Sequence, residues 1–168
     1  MLRLTLLTLS LAGAMTMFFE TNAGAEKPQP QLEQLIKLQA DGNFKDAYEG
    51  LRTFSLAKDS RPEDVARAVS AATECLQQLN RVDEIDDYRE KVAAAHQDKW
   101  QVLAAVAQSY LNVPHHGYMI GGEFKRGDHR GGGKIVNAND RDRVRAMQLY
   151  RDALKQAERA NDKHEPAE

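Results

Sequence analysis

Cysteine is almost absent from this sequence, because Cys75 is the only one among 168 residues. A single thiol excludes an internal disulfide, so packing alone must hold the folded chain together. Cys75 lies among apolar residues at helical spacing, and we expect a buried structural thiol there. The chain is nevertheless long enough for one domain with a hydrophobic core.

Two other common signals are missing as well. Neither sign of charge dominates, since 23 lysines and arginines face 25 aspartates and glutamates, for a net charge of −2. Such a balance excludes nonspecific nucleic-acid binding by the whole body, and we expect no nucleic-acid partner. No segment shows sustained alternation of apolar and polar residues, so we expect no substantial β-sheet.

The long apolar run of the chain lies at its N terminus. Residues 4–19 are mostly apolar, follow the basic Arg3, and precede the small residues 23–25. This order is typical of a secretory signal peptide, here residues 1–25, cleaved after Ala25. The alternative is a retained membrane anchor, for which the run is short against the roughly 20 residues of a span. We therefore predict an exported protein that is periplasmic, at the cell surface or secreted, with no stable membrane span after cleavage.

The rest of the chain is predicted to be helical. A polar linker, residues 26–31, precedes a domain at residues 32–160, in which apolar residues recur at intervals of three and four. Residues 161–168 form a charged tail that we expect to be frayed. The predicted fold class is all-α, with about six helices in three antiparallel hairpins.

A faint repeat indicates how these hairpins are arranged. Residues 42–47 lie 38 positions before residues 80–85, and both segments separate an odd from an even helix. In the last helix, Ala146, Tyr150 and Ala153 have the spacing of the second helix of a tetratricopeptide unit. The pattern predicts a tetratricopeptide-like stack, and an ordinary amphipathic bundle is the alternative.

Residues 112–139 interrupt the helical pattern and hold most of the glycines and histidines of the chain. A connection this long between packed helices is either functional or disordered. Its apolar residues favour an ordered loop that folds back on the helices, with a short strand within residues 118–124 or 134–136. Compact loops of this kind are often functional.

We expect this glycine-rich segment and the start of the last helix to contact a protein partner. Its arginines would either be displayed for recognition or hold the loop by pairing with Asp140 and Asp142. The candidate interaction residues are Tyr118, Phe124, Lys125, Arg126, Arg130, Lys134, Arg141, Arg143 and Arg145.

Other chemistries fit the segment less well. Residues 128–134 lack the first glycine and the final hydroxyl residue of a phosphate-binding loop. His115, His116 and His129 are candidate metal ligands, although no cysteine or His-Glu-x-x-His pattern accompanies them. No catalytic constellation stands out, so we predict neither a catalytic residue nor a cofactor, and no enzymatic activity. The competing hypothesis is a periplasmic protein that binds a small ligand or a metal through the histidines and arginines of the segment.

Several short runs in the second half of the chain form a recognisable combination. They are residues 100–111, His-Gly-Tyr at 116–118, Gly-Glu-Phe-Lys-Arg-Gly at 122–127, Arg-Gly-Gly-Gly at 130–133 and Arg-Asp-Arg-Val-Arg-Ala-Met-Gln-Leu at 141–149. Together they resemble the N-terminal region of secreted alpha-2-macroglobulin-like proteins of planctomycete-type bacteria, mainly over residues 98–155. In those proteins a signal peptide and a helical, tetratricopeptide-like segment precede the macroglobulin domains.

The resemblance implies an extracytoplasmic protein, either the front part of a longer chain or a free-standing relative of that part. The wider family traps proteases with a bait region and a Cys-Gly-Glu-Gln thioester. This chain has neither, since Leu76-Gln77-Gln78 follows Cys75. No catalytic residue is therefore carried over.

Overall fold

The computed structural model describes residues 30–128 and 130–162. The predicted signal peptide, most of the predicted linker and the end of the charged tail lie outside these residues. Six α-helices occupy the described part of the chain, which confirms that it is mostly helical. They are α1 (Pro30–Ala40), α2 (Phe44–Leu56), α3 (Pro62–Gln78), α4 (Ile85–Ala95), α5 (Trp100–Leu111) and α6 (Asn139–Asp162).

The helices pack through the apolar stripes that the sequence pattern indicates. α2 packs on α3, α3 on α5 and α5 on α6, while α1 lies against both α2 and α3. The largest apolar side chains of the resulting core include Leu51, Leu76 and Ile85, none of which is exposed. Cys75 is buried in the same core, and burial raises the pKa of its thiol to about 11. It is therefore an unreactive structural thiol, as expected. None of the described helices is long and apolar enough to span a membrane.

Two helix ends repeat one geometry at the predicted interval of 38 residues. Gly42 after α1 and Asn80 after α3 both have a left-handed backbone, with φ of 83° and 55°. In each case the next backbone N–H donates to a carbonyl oxygen five residues earlier, Leu38 at 2.9 Å or Leu76 at 2.8 Å. This is the hydrogen bond that closes a helix end when a left-handed residue follows it. The ends of α1 and α3 therefore share one geometry.

The glycine-rich segment is a three-stranded antiparallel sheet, so the chain is mostly helical rather than all-α. Strands occupy parts of both ranges, 118–124 and 134–136, within which one short strand was predicted. β1 (His116–Ile120) lies between β2 (Glu123–Arg126) and β3 (Lys134–Asn137). The strands have only four or five residues each, too few for alternation to show in the sequence. Gly121 and Gly122 form the β1–β2 turn with φ of 58° and 88°, as a tight hairpin requires.

Gly117 in the central strand allows the sheet to close. A Cβ atom there would lie 2.2 Å from the backbone oxygen of Lys125 and 2.7 Å from the ring of Phe124. Only glycine permits this approach of β1 to β2. The sheet thereby brings Arg126, at the end of β2, towards α4 and α6.

Candidate functional site

Arg126 lies at the centre of a buried ionic cluster. Its side chain is not exposed, and its Nη1 and Nη2 donate to Asp142 on α6 at 2.9 and 2.8 Å. Its Nε and Nη2 donate to Asp86 on α4 at 3.0 and 3.1 Å. Nη1 also donates to the backbone oxygen of Pro114 at 2.6 Å. One guanidinium thus joins the sheet to two helices with paired, charge-assisted hydrogen bonds.

Asp142 is the most buried anion of this cluster. Its side chain is not exposed, and its Oδ2 lies 2.7 Å from Nδ1 of His115. Burial alone would raise the pKa of Asp142, but the hydrogen bonds from Arg126 and His115 outweigh burial and lower it. Asp142 is therefore ionised at neutral pH and attracts the cations around it.

Arg141 covers the cluster on its solvent side. Its Nη1 donates to Asp86 at 2.9 Å and to Asp142 at 3.2 Å. Its guanidinium carbon lies 4.5 Å from the centre of the Phe124 ring, and that of Arg126 lies 5.4 Å from the same point. Arg126 and Arg141, both predicted site residues, therefore make cation–π contacts with the same ring, that of the predicted site residue Phe124.

A second ion pair links α4 and α6 one helical turn further along. Arg145 donates from Nε and Nη2 to the two carboxylate oxygens of Glu90 at 2.8 and 2.5 Å. The hydroxyl of Tyr110 on α5 donates to Glu90 at 2.6 Å. Burial would raise the pKa of Glu90, but the hydrogen bonds from Arg145 and Tyr110 lower it. This pair holds α6 to α4 across α5.

Arg89 is a fourth arginine, beneath the cluster, and is fully buried. Its Nη2 donates to the backbone oxygen of Ser109 at 2.5 Å, and its guanidinium lies 4.7 Å from the Tyr110 ring centre. Its Nη1 is 3.8 Å from Asp86, too far for a hydrogen bond. Among the described residues, Nε and Nη1 of Arg89 have no hydrogen-bond acceptor. Burial lowers the pKa of Arg89 to about 10, so the residue stays cationic at neutral pH.

The other predicted site residues lie outside the cluster. Tyr118 on β1 is half-buried and stands opposite Lys125 and Ile135 in the sheet register. Lys125 pairs with Glu123 at 3.2 Å. The exposed members of the set are Lys125, Arg130, Lys134 and Arg143. The structure thus divides the predicted set into residues that join the sheet to the helices and residues at the surface.

Two of the three carboxylates of the site were not predicted, whereas Asp142 was expected as a partner for the arginines of the segment. Asp86 and Glu90 are four residues apart on α4, and the arginines that pair with them, Arg141 and Arg145, are four residues apart on α6. Residues at this spacing share one face of a helix. The matched spacing was a signal in the sequence, but nothing local shows that α4 and α6 are neighbours.

On the side of α6 that faces away from α5, several large apolar side chains are exposed to solvent. Leu149, on the buried side, is 2% exposed, whereas Met147 is 69%, Leu154 59% and Val144 54% exposed. We call this surface the outer face of α6, and it consists of Asp140, Arg143, Val144, Met147, Arg151, Leu154 and Glu158. Proteins with contiguous exposed apolar residues often use them as interaction surfaces.

Two depressions adjoin the outer face. The larger, of about 660 Å³, lies between α4 and α6 and is lined by Asp86, Asp87, Glu90, Tyr110, Asp140, Arg141, Val144, Arg145 and Gln148. The smaller, of about 370 Å³, is lined by Val144, Met147, Gln148 and Arg151. Val144 and Gln148 line both depressions.

His115 and His116, the two candidate metal ligands within the described residues, have different surroundings. His115 is bound to Asp142, and His116 is exposed, with its Nε2 3.6 Å from Asp128. His129 lies outside the described residues. Within the described ranges, no three histidine, cysteine or carboxylate side chains come together as a metal site would require.

No protein-family model matches this chain, and no curated protein or solved structure is significantly similar to it. Inference about its function therefore rests on the geometry of the ionic cluster and of the outer face of α6.

Proposed function

We propose that this protein is a non-enzymatic, exported helical module that binds another protein through the outer face of α6. The observation that carries the proposal is the exposure of Met147, Leu154 and Val144 on a helix whose other side is buried at Ala146, Leu149 and Ala153. Contiguous apolar side chains exposed on one helix face are typical of surfaces that a partner covers.

The ionic cluster would give this surface a fixed shape. Arg126, Arg141 and Arg145 hold the sheet and α6 against α4, so the outer face does not depend on α6 packing alone. In this proposal Arg143 contributes to the contact itself, and Lys125, Arg130 and Lys134 are exposed cationic side chains in the glycine-rich segment.

We further propose that the helices form a short tetratricopeptide-like stack. α1 lies beside α3 and α3 beside α5, and each is followed by one of α2, α4 and α6. The repeated turns at Gly42 and Asn80 support this arrangement. The sequence resemblance described above supports a place at the front of an alpha-2-macroglobulin-like protein of protease defence.

Site-specific photo-crosslinking in the producing cells tests the interaction function. Met147 on the outer face would be replaced by benzoylphenylalanine, with exposed Lys45 on α2 as the matched control position. We expect a discrete adduct of higher mass from position 147 and none from position 45. Equal adducts, or none at either position, would contradict the proposal.

An antibody against residues 26–168 tests the macroglobulin assignment separately. A native band several-fold larger than 18.8 kDa is expected if the module precedes macroglobulin domains. A band near the mass of the chain itself would contradict that assignment and leave the interaction function standing.

A further inference from the structure

We propose that the outer edge of β3 binds an extended segment of a partner protein, which adds to the sheet as a fourth strand. The segment would place an apolar residue opposite Ile135 and an acidic residue opposite Lys134. This edge shares no residue with the outer face of α6, so the inference goes beyond the proposed function. It follows from the hydrogen-bonding register of the sheet and from the side chains along β3.

The register of the sheet determines which backbone groups of β3 point outward. The N–H of Ala138 donates to the carbonyl oxygen of His115 at 2.7 Å, so the backbone of Ala138 faces β1. Along an antiparallel strand the backbone groups of successive residues face opposite sides. Val136 and Lys134 therefore also face β1, whereas the N–H and C=O of Ile135 point away from the sheet.

Among the three strands, β3 has the open edge. β1 is paired on both sides, and β2 packs against the short 3₁₀ helix Val82–Glu84. β3 packs closely against β1 alone among the described helices and strands. No other described residue forms a hydrogen bond with the outward groups of Ile135. Unpaired backbone groups on an edge strand are a template for another strand.

Ile135 makes this edge apolar as well as unpaired. Its side chain is 70% exposed, the largest fraction among the large apolar side chains of the described residues. β3 is short and carries one lysine, but its register with β1 is continuous and it contains neither a proline nor a bulge. An exposed apolar residue beside unpaired backbone groups is what an added strand covers, because its backbone supplies the hydrogen bonds and its side chains supply the contact.

Lys134 determines which strands fit the edge. It is the only charged residue of β3, and it forms no ion pair with any other described residue. Opposite charges directly across two strands stabilise their pairing, and like charges destabilise it. A strand with an acidic residue opposite Lys134 is therefore favoured. A second copy of β3 has the sequence Lys-Ile-Val-Asn and offers no carboxylate to Lys134 in any register.

Two capped pentapeptides serve as probes, Thr-Glu-Val-Glu-Thr and Thr-Lys-Val-Lys-Thr. With valine opposite Ile135, either strand direction places a glutamate or a lysine opposite Lys134. Each peptide would be titrated into the isotope-labelled protein, and the backbone amide signals would be followed by NMR spectroscopy. We expect the glutamate peptide to bind about threefold more tightly than the lysine peptide, with the difference shrinking at high salt.

The pattern of affected amides tests the register itself. An added strand accepts hydrogen bonds from the outward N–H groups, so the amides of Ile135 and Asn137 should shift and exchange more slowly with solvent. The amides of Lys134 and Val136 already donate to β1 and should change much less. A peptide that lay on a face of the sheet would not produce this alternation.

Three variants make the test specific. Lys134→Glu should reverse the preference, so that the lysine peptide binds more tightly. Lys45→Glu is the matched control, because Lys45 is exposed on α2, and it should leave the preference unchanged. Ile135→Pro removes an outward N–H without removing a hydrogen bond to β1, and it should abolish binding of both peptides. The amide signals of β1 and β2 check that each variant keeps its sheet.

Equal shifts at the inward and outward amides, or an unchanged preference in Lys134→Glu, would overturn the inference. Absence of binding by both peptides at millimolar concentration would overturn it as well. Alternating shifts that appear without peptide and grow with protein concentration would overturn it in favour of a second copy. None of these outcomes bears on crosslinking at position 147, so failure of this inference and failure of the proposed function are distinguishable.

Discussion

Replacing Arg126 with methionine should lower the free energy of unfolding by about 3 kcal/mol. The change removes five hydrogen bonds and the cation that lies between two carboxylates. Removing one member of a buried ion pair costs about 3–5 kcal/mol, because the other member keeps a buried charge without its partner. Total stability of a domain is only about 5–15 kcal/mol, so the loss is a large fraction of it.

The surroundings set the expected loss at the lower end of that range. Asp142 stays fully buried in the variant but keeps its contacts with His115 and Arg141. The side chain of Asp86 is 18% exposed, so water can replace part of the hydrogen bonding that it loses with Arg126. Arg126→Lys keeps the charge but not the forked geometry, and it should lose less than the methionine variant.

Urea unfolding followed by far-ultraviolet circular dichroism measures the global loss. Amide hydrogen exchange in β1, the central strand, separates release of the sheet from unfolding of the helices. In the double variant Arg126→Met with Asp142→Leu, both charges are removed, and the combined loss should be at least 1 kcal/mol smaller than the sum of the single losses. A loss below about 1 kcal/mol for Arg126→Met, or strict additivity in the double variant, would refute the reasoning.

Three further outcomes follow from the same contacts. Arg89→Met should change stability by less than about 1 kcal/mol in urea unfolding, although the residue is as buried as Arg126, because two of its donors have no acceptor among the described residues. A loss near that of Arg126→Met would contradict this. The lowered pKa of Asp142 means that its stabilisation is fully present above an unfolded-state pKa of about 4 and is lost as the pH falls through the folded pKa. The stability difference between the protein and Asp142→Asn should therefore shrink from pH 6 to pH 3, and a constant difference would show that Asp142 does not titrate in this way. Gly117→Ala should destabilise the sheet by at least about 1 kcal/mol in thermal unfolding, whereas Gly132→Ala, where the added Cβ meets open space, should have little effect. Equal effects would show that the close approach of β1 to β2 is not required.

Residues in helices were predictable because the relevant signal is local. Intervals of three and four between apolar residues predicted helices on both sides of residues 112–139, and α6 begins at Asn139, where that segment was expected to end. The helix ends at Gly42 and Asn80 were likewise visible as a repeat, because a left-handed residue at a helix end has its own sequence preference. These features need no knowledge of which helices touch.

The sheet and the ionic cluster were not predictable in the same way. β1 to β3 are short and glycine-rich, so their pairing depends on contacts between strands more than on the preference of any one strand. The sequence allowed two roles for Arg126, display at the surface for recognition or an ion pair that holds the segment. Its charge is the same in both roles. Only burial beside Asp86 and Asp142 distinguishes them.

From the sequence alone followed a mostly helical chain, a single cysteine with no disulfide, and a segment at residues 112–139 that is unlike the rest. Periodicity and composition contain that information because the spacing of apolar residues along each helix shows which of its sides is apolar. The tertiary structure alone decided that this segment is a sheet, that Asp86 and Glu90 on α4 meet Arg141 and Arg145 on α6, and that Met147 and Leu154 have no covering helix. Those facts depend on which elements pack together, and an exposed apolar side chain looks the same in sequence as a buried one.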